Sequence, residues 1–337
     1  MLGGFPHNLI ASSSGSIIKP QDVFATSLYT GPGSTQTITN GIDLAGKGGL
    51  VWFKHRTAGT QNHTLFDTAR TISGYDMFLS TNTTDAESAS GINYIDYLAD
   101  GFTIRTASNF YNISDGSYVN WSFAQAPDFF AVVTWTGDGV AGRQIPLPPG
   151  WTKPPGMIVV KRRDSSGSGD WWTYHRTQGG KYLQLNTTAA ANASSAEVIF
   201  GNGTATVEPT ASHFTVGNFA GLNASGSTYV AYVFGHSTDP DGIIQAGSTF
   251  GGSPVNLGWR PQFVLMRWSN AASNWTMLDA SRGMSSAPDA TLHANDTSAE
   301  ASSGNIIDVS ASGFTAPSSW WGTTNTLIYL AIRAPIV

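Results

Sequence analysis

The sequence contains no cysteine. That excludes a disulfide framework, thiol catalysis and any Cys-ligated zinc or iron–sulfur site. Charge is scarce as well: Asp, Glu, Lys and Arg make up 12% of the 337 residues, about half of the roughly 25% usual in soluble domains. With 17 basic and 22 acidic side chains the formal net charge is −5. So few cations exclude a protein that holds nucleic acid by neutralising phosphates. No stretch approaches the ~18 consecutive apolar residues of a membrane-crossing helix. The opening MLGGFPHNLIASSSGSIIKP has neither the basic start nor the apolar run of a secretory leader, so the expectation is a protein made and used without that export route. Long Ala/Leu/Glu/Lys patterns are missing too. The best helix candidate, Thr187 to Val198, is broken by Asn192 and two serines.

What is abundant is apolar and aromatic. The chain is 40% hydrophobic and 12% aromatic, with 38 Gly, 11 Trp, 11 Tyr and 17 Phe, a composition that excludes disorder. Runs of four to eight β-branched and aromatic residues, bounded by Gly, Pro, Asn or Ser, recur throughout. That pattern predicts an all-β sandwich or barrel.

The chain also repeats itself three times. Leu50-Val51-Trp52-Phe53-Lys54, Met157-Ile158-Val159-Val160-Lys161 and Phe263-Val264-Leu265-Met266-Arg267 are each four apolar residues followed by a base. Upstream stand Tyr29-Thr30-Gly31, Trp135-Thr136-Gly137 and Thr249-Phe250-Gly251. Downstream come Leu65-Phe66-Asp67, Trp172-Thr173-Tyr174-His175 and Trp275-Thr276-Met277-Leu278-Asp279. Next are Leu79-Ser80-Thr81-Asn82, Leu183-Gln184-Leu185-Asn186 and Leu292-His293-Ala294-Asn295. A closing strand ends each copy at Tyr118 to Phe123, Tyr229 to Phe234 and Leu327 to Ile332. A period this long is too great for a solenoid or propeller blade and fits a small β-sandwich. The expected architecture is three tandem β-sandwich, jelly-roll-like repeats at 21–128, 129–238 and 239–337, preceded by an N-terminal attachment arm over 1–20. Pro127 and the turn Asp239-Pro240-Asp241-Gly242 punctuate the joints.

Side chains alternate faces along a strand. In Leu50 to Phe53 and its two counterparts both faces are apolar, so these strands are covered on both sides. The second cover is a neighbouring repeat, a long loop or another subunit. Phe102-Thr103-Ile104 and Phe214-Thr215-Val216 alternate instead, as a strand with one wet face does.

Candidate chemistry is thin. Asp67 and Asp279 occupy equivalent positions, as do Glu87 and Glu300, and paired carboxylates can serve a glycosidase. They recur with the repeat, however, and the second copy replaces them, which favours strand-end carboxylates accepting backbone N–H bonds. The histidines His7, His55, His63, His175, His213, His236 and His293 form no HxH or HExxH pair. Asp164 to Asp170 and Asp239 to Gly242 carry oxygen ligands but not the spacing of a calcium loop, and read as turns. No GxSxG elbow, P-loop or GxGxxG opening a helix is present. No catalytic residue, metal or cofactor is expected. The adjacent pairs Trp171-Trp172 and Trp320-Trp321, if in strands, send one ring to each face. Exposed aromatic rings stack on sugar faces, so Trp171, Trp172, Trp320, Trp321, Tyr94 and Tyr111 are the candidate glycan contacts. The alternative is that these rings fill the core or an interface. Sequons at Asn82, Asn186 and Asn295 read as polar strand ends.

The strands Gly49 to Lys54, Leu65 to Arg70, Asp100-Gly101-Phe102 and Tyr118 to Phe123 together resemble a repeat of tail-fibre-like and other virion proteins of tailed phages. So do Pro155 to Arg162, Trp172 to Arg176, Tyr229 to Tyr232 and Tyr329 to Arg333. The resemblance covers about residues 22–335 and lies in structural strands. It implies a non-enzymatic virion protein, assembled in the host cytoplasm and exposed on the particle as a fibre or spike. Its expected partners are other virion proteins through the N-terminal arm, further copies of itself in a homotrimer, and a host-surface glycan. Nucleic acid and membrane insertion are not expected. The alternatives are a capsid decoration or cement protein and, from another class, a glycan-degrading enzyme.

Overall fold

The computed structural model describes residues 18–72, 75–89, 93–285 and 287–336. Nearly all of the arm expected over residues 1–20 therefore lies outside the described residues. The chain is all-β, 41% strand and 7% helical.

Three segments each build one large and one small antiparallel sheet. In the first, strands Phe24–Thr30, Ser117–Ala124, Gly49–His55, Thr64–Ile72, Tyr75–Leu79 and Ser88–Ala89 lie side by side in that order; Gln36–Thr39, Gly101–Ile104 and Ile95–Leu98 form the small sheet. In the second the large sheet runs Phe130–Thr136, Thr228–Phe234, Met157–Arg162, Trp172–His175, Leu183–Gln184, and Arg143–Pro146 pairs with His213–Val216. In the third it runs Ile244–Phe250, Thr326–Arg333, Pro261–Trp268, Thr276–Asp279, Ala290–His293, Ala301–Ser302, beside a small sheet of Pro254–Asn256, Gly313–Thr315 and Asp308–Ser310. The strand order is the same each time. The closing strand sits between the first strand and the apolar-plus-base strand, and a meander continues outward.

The alternation of side chains shows how the segments meet. Met157 and Val159 join one apolar core while Ile158 and Val160 join another. Phe263 and Leu265 divide from Val264 and Met266 in the same way. One core collects the inner faces of all three large sheets, with Leu50, Trp52, Phe123, Phe130, Phe234, Phe263 and Ile332 among its members. The outer faces of the second and third large sheets pack on their own small sheets, through Ile145 and Phe214 in one and Val255 and Phe314 in the other. In the first segment Phe53 meets Phe102 of the small sheet, ring centroids 5.5 Å apart. The two-sided burial read from the sequence is thus met by the small sheet on one side and the other segments on the other. Phe123 is the ring where the three meet: its centroid lies 5.2 Å from Phe130, 5.7 Å from Phe234 and 6.5 Å from Phe263.

Small-sheet strands alternate less strictly than expected. Thr103 is half-buried and its Oγ1 meets that of Thr37 at 2.8 Å, but Thr215 is buried. Gly31, Gly137 and Gly251 recur because each faces a neighbouring strand end; an added Cβ would lie 2.4, 2.1 and 1.8 Å from the carbonyl oxygens of Ile113, Ala224 and Gly322.

The best helix candidate, Thr187 to Val198, yields only a single turn, Ala196–Ile199. The stretch before it has another use for its backbone. The carbonyls of Thr187, Thr188 and Ala189 accept from the Arg267 guanidinium, and the Ala191 amide donates to Ser269. Groups committed to a neighbouring segment are not free for an i→i+4 ladder.

Because Phe123 contacts all three segments, Phe123→Ala should destabilise the whole molecule by about 3–5 kcal/mol. Tryptophan fluorescence and far-UV circular dichroism should report one coincident denaturant transition, shifted to lower midpoint. Separate transitions would show that the segments are stable alone.

Candidate functional site

The bases that end the central strands are buried at the boundaries between segments, and each does the same thing. Lys54 Nζ donates to its own neighbour His55 at 2.9 Å and across to the Thr297 carbonyl at 3.2 Å. Lys161 Nζ donates to Arg162 at 2.9 Å and across to Thr84 at 3.1 Å. Arg267 donates to Trp268 at 2.8 Å and across to Thr188 at 2.8 Å. Thr84, Thr188 and Thr297 stand at one position of the repeat, so the first segment holds the third, the second the first and the third the second. The contacts close a ring. Burial pushes both Lys54 and Lys161 down to about 8, against the pull of nearby carboxylates.

A second set of bonds follows the same circuit. The Nε1 of Trp171 donates to the Ser80 carbonyl at 3.0 Å, that of Trp275 to Gln184 at 3.0 Å, and Nε2 of His63 reaches His293 at 2.9 Å. The Trp52 indole donates to His63 Nδ1 at 2.9 Å, so Nε2 carries the proton of the neutral ring. The sequon asparagines explain themselves here. Oδ1 of Asn82, Asn186 and Asn295 accepts the backbone N–H of His63, Trp171 and Trp275 at 2.9, 2.9 and 2.7 Å.

The paired carboxylates are structural in their surroundings. Asp67 Oδ2 meets Arg70 Nε at 2.6 Å, and Asp279 Oδ2 meets Arg282 Nε at 2.7 Å, all four side chains fully buried. Across the boundary, the Tyr232 hydroxyl donates to Asp67 at 2.7 Å and the Trp121 indole to Asp279 at 3.0 Å. In the second segment His175 takes this place and its Nε2 reaches the Tyr329 carbonyl at 3.1 Å. At the register position of Tyr232 and Trp121 the third segment carries Leu330, which has no donor to give, and the second segment has no carboxylate there to need one. Glu87 and Glu300 close the boundaries from outside. Glu87 binds Arg163 at 2.8 Å and Arg70 at 3.3 Å; Glu300 binds Arg56 at 2.6 Å and Arg282 at 3.4 Å. Burial works against the charge on Glu300, but Arg56 and Arg282 outweigh it and hold the carboxyl below its usual range. Ala191 and Ser269 stand where the third such pair would be and keep only the backbone bond, at 2.7 Å.

The turn carboxylates bind neighbouring side chains: Asp164 accepts from Arg162 at 2.8 Å, Asp170 from Asn186 at 2.8 Å, and Asp239 pairs with Lys153. Among the described residues no three or more His, Asp or Glu side chains gather as metal ligands.

The candidate aromatics separate. Trp171 and Trp172 do point to opposite faces of their sheet, but each face is a core, and both rings are buried. Trp321 is buried too and donates to the Ile306 carbonyl at 2.9 Å. Trp171 and Trp172 are interior because both faces of their sheet are covered, and Trp321 because its helical turn packs on the outer core of the third segment. Trp320, in the helical turn Ser318–Trp321, is 51% exposed. Tyr94 and Tyr111 come together, ring centroids 5.7 Å apart. With Phe78 and Phe110 they wall a cavity of about 130 Å³ in the first segment. Tyr111 is anchored from behind, its carbonyl accepting the Tyr29 hydroxyl at 2.5 Å. Phe78 was not among the expected contacts. It stands on the strand Tyr75–Leu79, next to residues that read as core. This aromatic cavity is the candidate site.

Residues 19–334 match the model of a family described as a domain of unknown function, DUF7483, and the chain belongs to that family. No curated protein matches it.

The boundary chemistry predicts two stability effects. Burial pushes His175 down to about 4, so it stays neutral in the fold while an unfolded histidine takes up a proton below ~6.5. The unfolded state then binds more protons, and stability falls as pH drops from 6.5 towards 4, by about 2 kcal/mol at pH 5. His175→Gln should remove its share and make the melting-temperature profile shallower across that window, with His236, which burial also pushes down to about 4, supplying a remaining part; an unchanged slope would refute the assignment. Asp67→Ala, which leaves the buried Arg70 with only the longer carboxylate contact, to Glu87, should cost about 3 kcal/mol in denaturant titrations, and the double change Asp67→Leu with Arg70→Met should recover most of it.

Proposed function

We propose that this member of the DUF7483 family is a non-enzymatic structural protein of a tailed-phage virion, exposed on the particle as part of a fibre or spike. We further propose that it contributes to attachment to a host-surface glycan. The observation that carries this reading is the disposition of its chemistry. The carboxylates, imidazoles and buried bases described above hold segment to segment. Of the six candidate glycan contacts, Tyr94 and Tyr111 wall an aromatic cavity and Trp320 carries an exposed ring. The resemblance of the strands to tail-fibre-like repeats supports the same reading.

A protein of this kind needs rigidity without disulfides. Three sheets sharing one core supply it, since opening any one segment exposes apolar surface of the other two. The threefold arrangement that a homotrimer would make between chains is made here within one. A single copy is therefore already a closed, three-lobed body, and assembly with other virion proteins would proceed from its outside.

Purified particles of the phage that encodes this chain should contain it in fixed stoichiometry, and gold-labelled antibody should mark fibres or spikes on intact particles. The isolated protein should bind host cells and slow adsorption of the phage. Absence from purified particles would overturn the proposal. Labelling confined to the head, with heat-labile particles when the protein is missing, would replace attachment by capsid decoration.

A further inference from the structure

We propose that the cavity of the first segment binds one neutral sugar ring, the terminal pyranose of a glycan. This rests on the reading of that cavity as the ligand-contacting part of the protein and adds the class of ligand. The argument comes from comparing the three segments at one register position. Thr64 pairs with Phe53, Trp172 with Val160 and Thr276 with Met266, so the three occupy equivalent places next to the central strand. In the second segment the Trp172 indole fills the space, with its ring 4.8 Å from Phe219 and 5.2 Å from Tyr182. In the third, the Thr276 hydroxyl lies 3.4 Å from His293 Nδ1. In the first, Thr64 is small where the second segment has an indole, and the cavity is what remains. Thr64 is 1% exposed, lines this cavity, and its Oγ1 has no hydrogen-bond partner among the described residues.

Each property of the cavity restricts its occupant. About 130 Å³ seats the face of one six-membered ring and nothing larger, since a cavity of ~150 Å³ holds benzene; the hydroxyls on the far edge of a pyranose would stay at the cavity mouth. Phe78, Tyr94, Phe110 and Tyr111 present ring faces and edges, and among the described residues no carboxylate, imidazole, amine or guanidinium lines the space. A charged ligand would lose its hydration with no counter-charge. A purely apolar ring would leave the Thr64 hydroxyl buried and unpaired. A pyranose meets both conditions: its C–H face packs on aromatic rings and its hydroxyls supply the missing partner.

The test is saturation-transfer NMR on the full chain with the methyl glycosides of glucose, galactose, mannose and rhamnose, and with glucuronic acid as the charged comparison. At least one neutral glycoside should receive saturation, strongest on the C–H protons of one ring face. Thr64→Trp, which copies the second segment, should weaken that binding at least tenfold with the melting temperature unchanged or raised. Tyr94→Ala, at a half-buried position, gives a second readout if the tryptophan does not fit, and should also weaken it. Binding untouched by both variants, no binding of any neutral glycoside, or equal binding of glucuronic acid would overturn the proposal. The result is separable from the particle experiment: ring binding by a protein absent from particles would sink the virion reading alone. A particle protein that ignores every glycoside would sink this inference alone.

Discussion

Everything in this fold depends on central strands that are apolar on both faces. A strand such as Met157–Arg162 cannot leave either side in water, and a two-sheet sandwich has only one inside. The small sheet of each segment covers one face, and the other two segments cover the other. The shared core around Phe123, Phe234 and Phe263 is therefore the condition under which each sandwich exists. With charged residues at 12% of the chain, few residues are left for a conventional polar surface, and the large buried area between segments is where the apolar excess goes.

That constraint dictates the polar chemistry. Once three sheets close on one another, the loops and strand ends between them are buried, and their donors and acceptors must pair across the boundary. Lys54, Lys161 and Arg267 each reach a carbonyl of the neighbouring segment; Trp171, Trp275 and His63 do likewise. The most telling set is the one that varies. Where a segment carries a carboxylate, at Asp67 or Asp279, its neighbour offers a donor, Tyr232 or Trp121. Where it carries His175, the neighbour offers Leu330. The exchange is reciprocal because an unpartnered buried carboxylate or hydroxyl would cost more than either arrangement with its partner.

Much of this was legible beforehand. The repeat, the all-β class and the two-sided burial follow from short uninterrupted apolar runs that recur at a fixed spacing. The structural character of Asp67 and Asp279 followed from their recurrence. The tryptophans were not legible. Trp171-Trp172 was read as sending one ring to each face, either to expose one or to fill a core or interface; the opposite faces are right, but the sequence does not say that both are interior. The Thr187 to Val198 stretch looked helical by composition, yet its carbonyls were needed by Arg267, a residue ~80 positions away. Helix propensity, a few tenths of a kcal/mol per residue, does not compete with satisfying a buried guanidinium.

The candidate site divides along the same line. By itself the sequence determined that strands would form, that the central strands would be covered on both faces, and that the unit would recur three times. These are local properties, written in the alternation and spacing of side chains. Only the tertiary structure decided which segment holds which, which tryptophans are interior, and that Thr64, facing Tyr94 and Tyr111, leaves a cavity where Trp172 closes one. Those outcomes depend on which side chains meet across distances of tens to hundreds of residues, and a cavity is a difference in packing volume that no single strand contains.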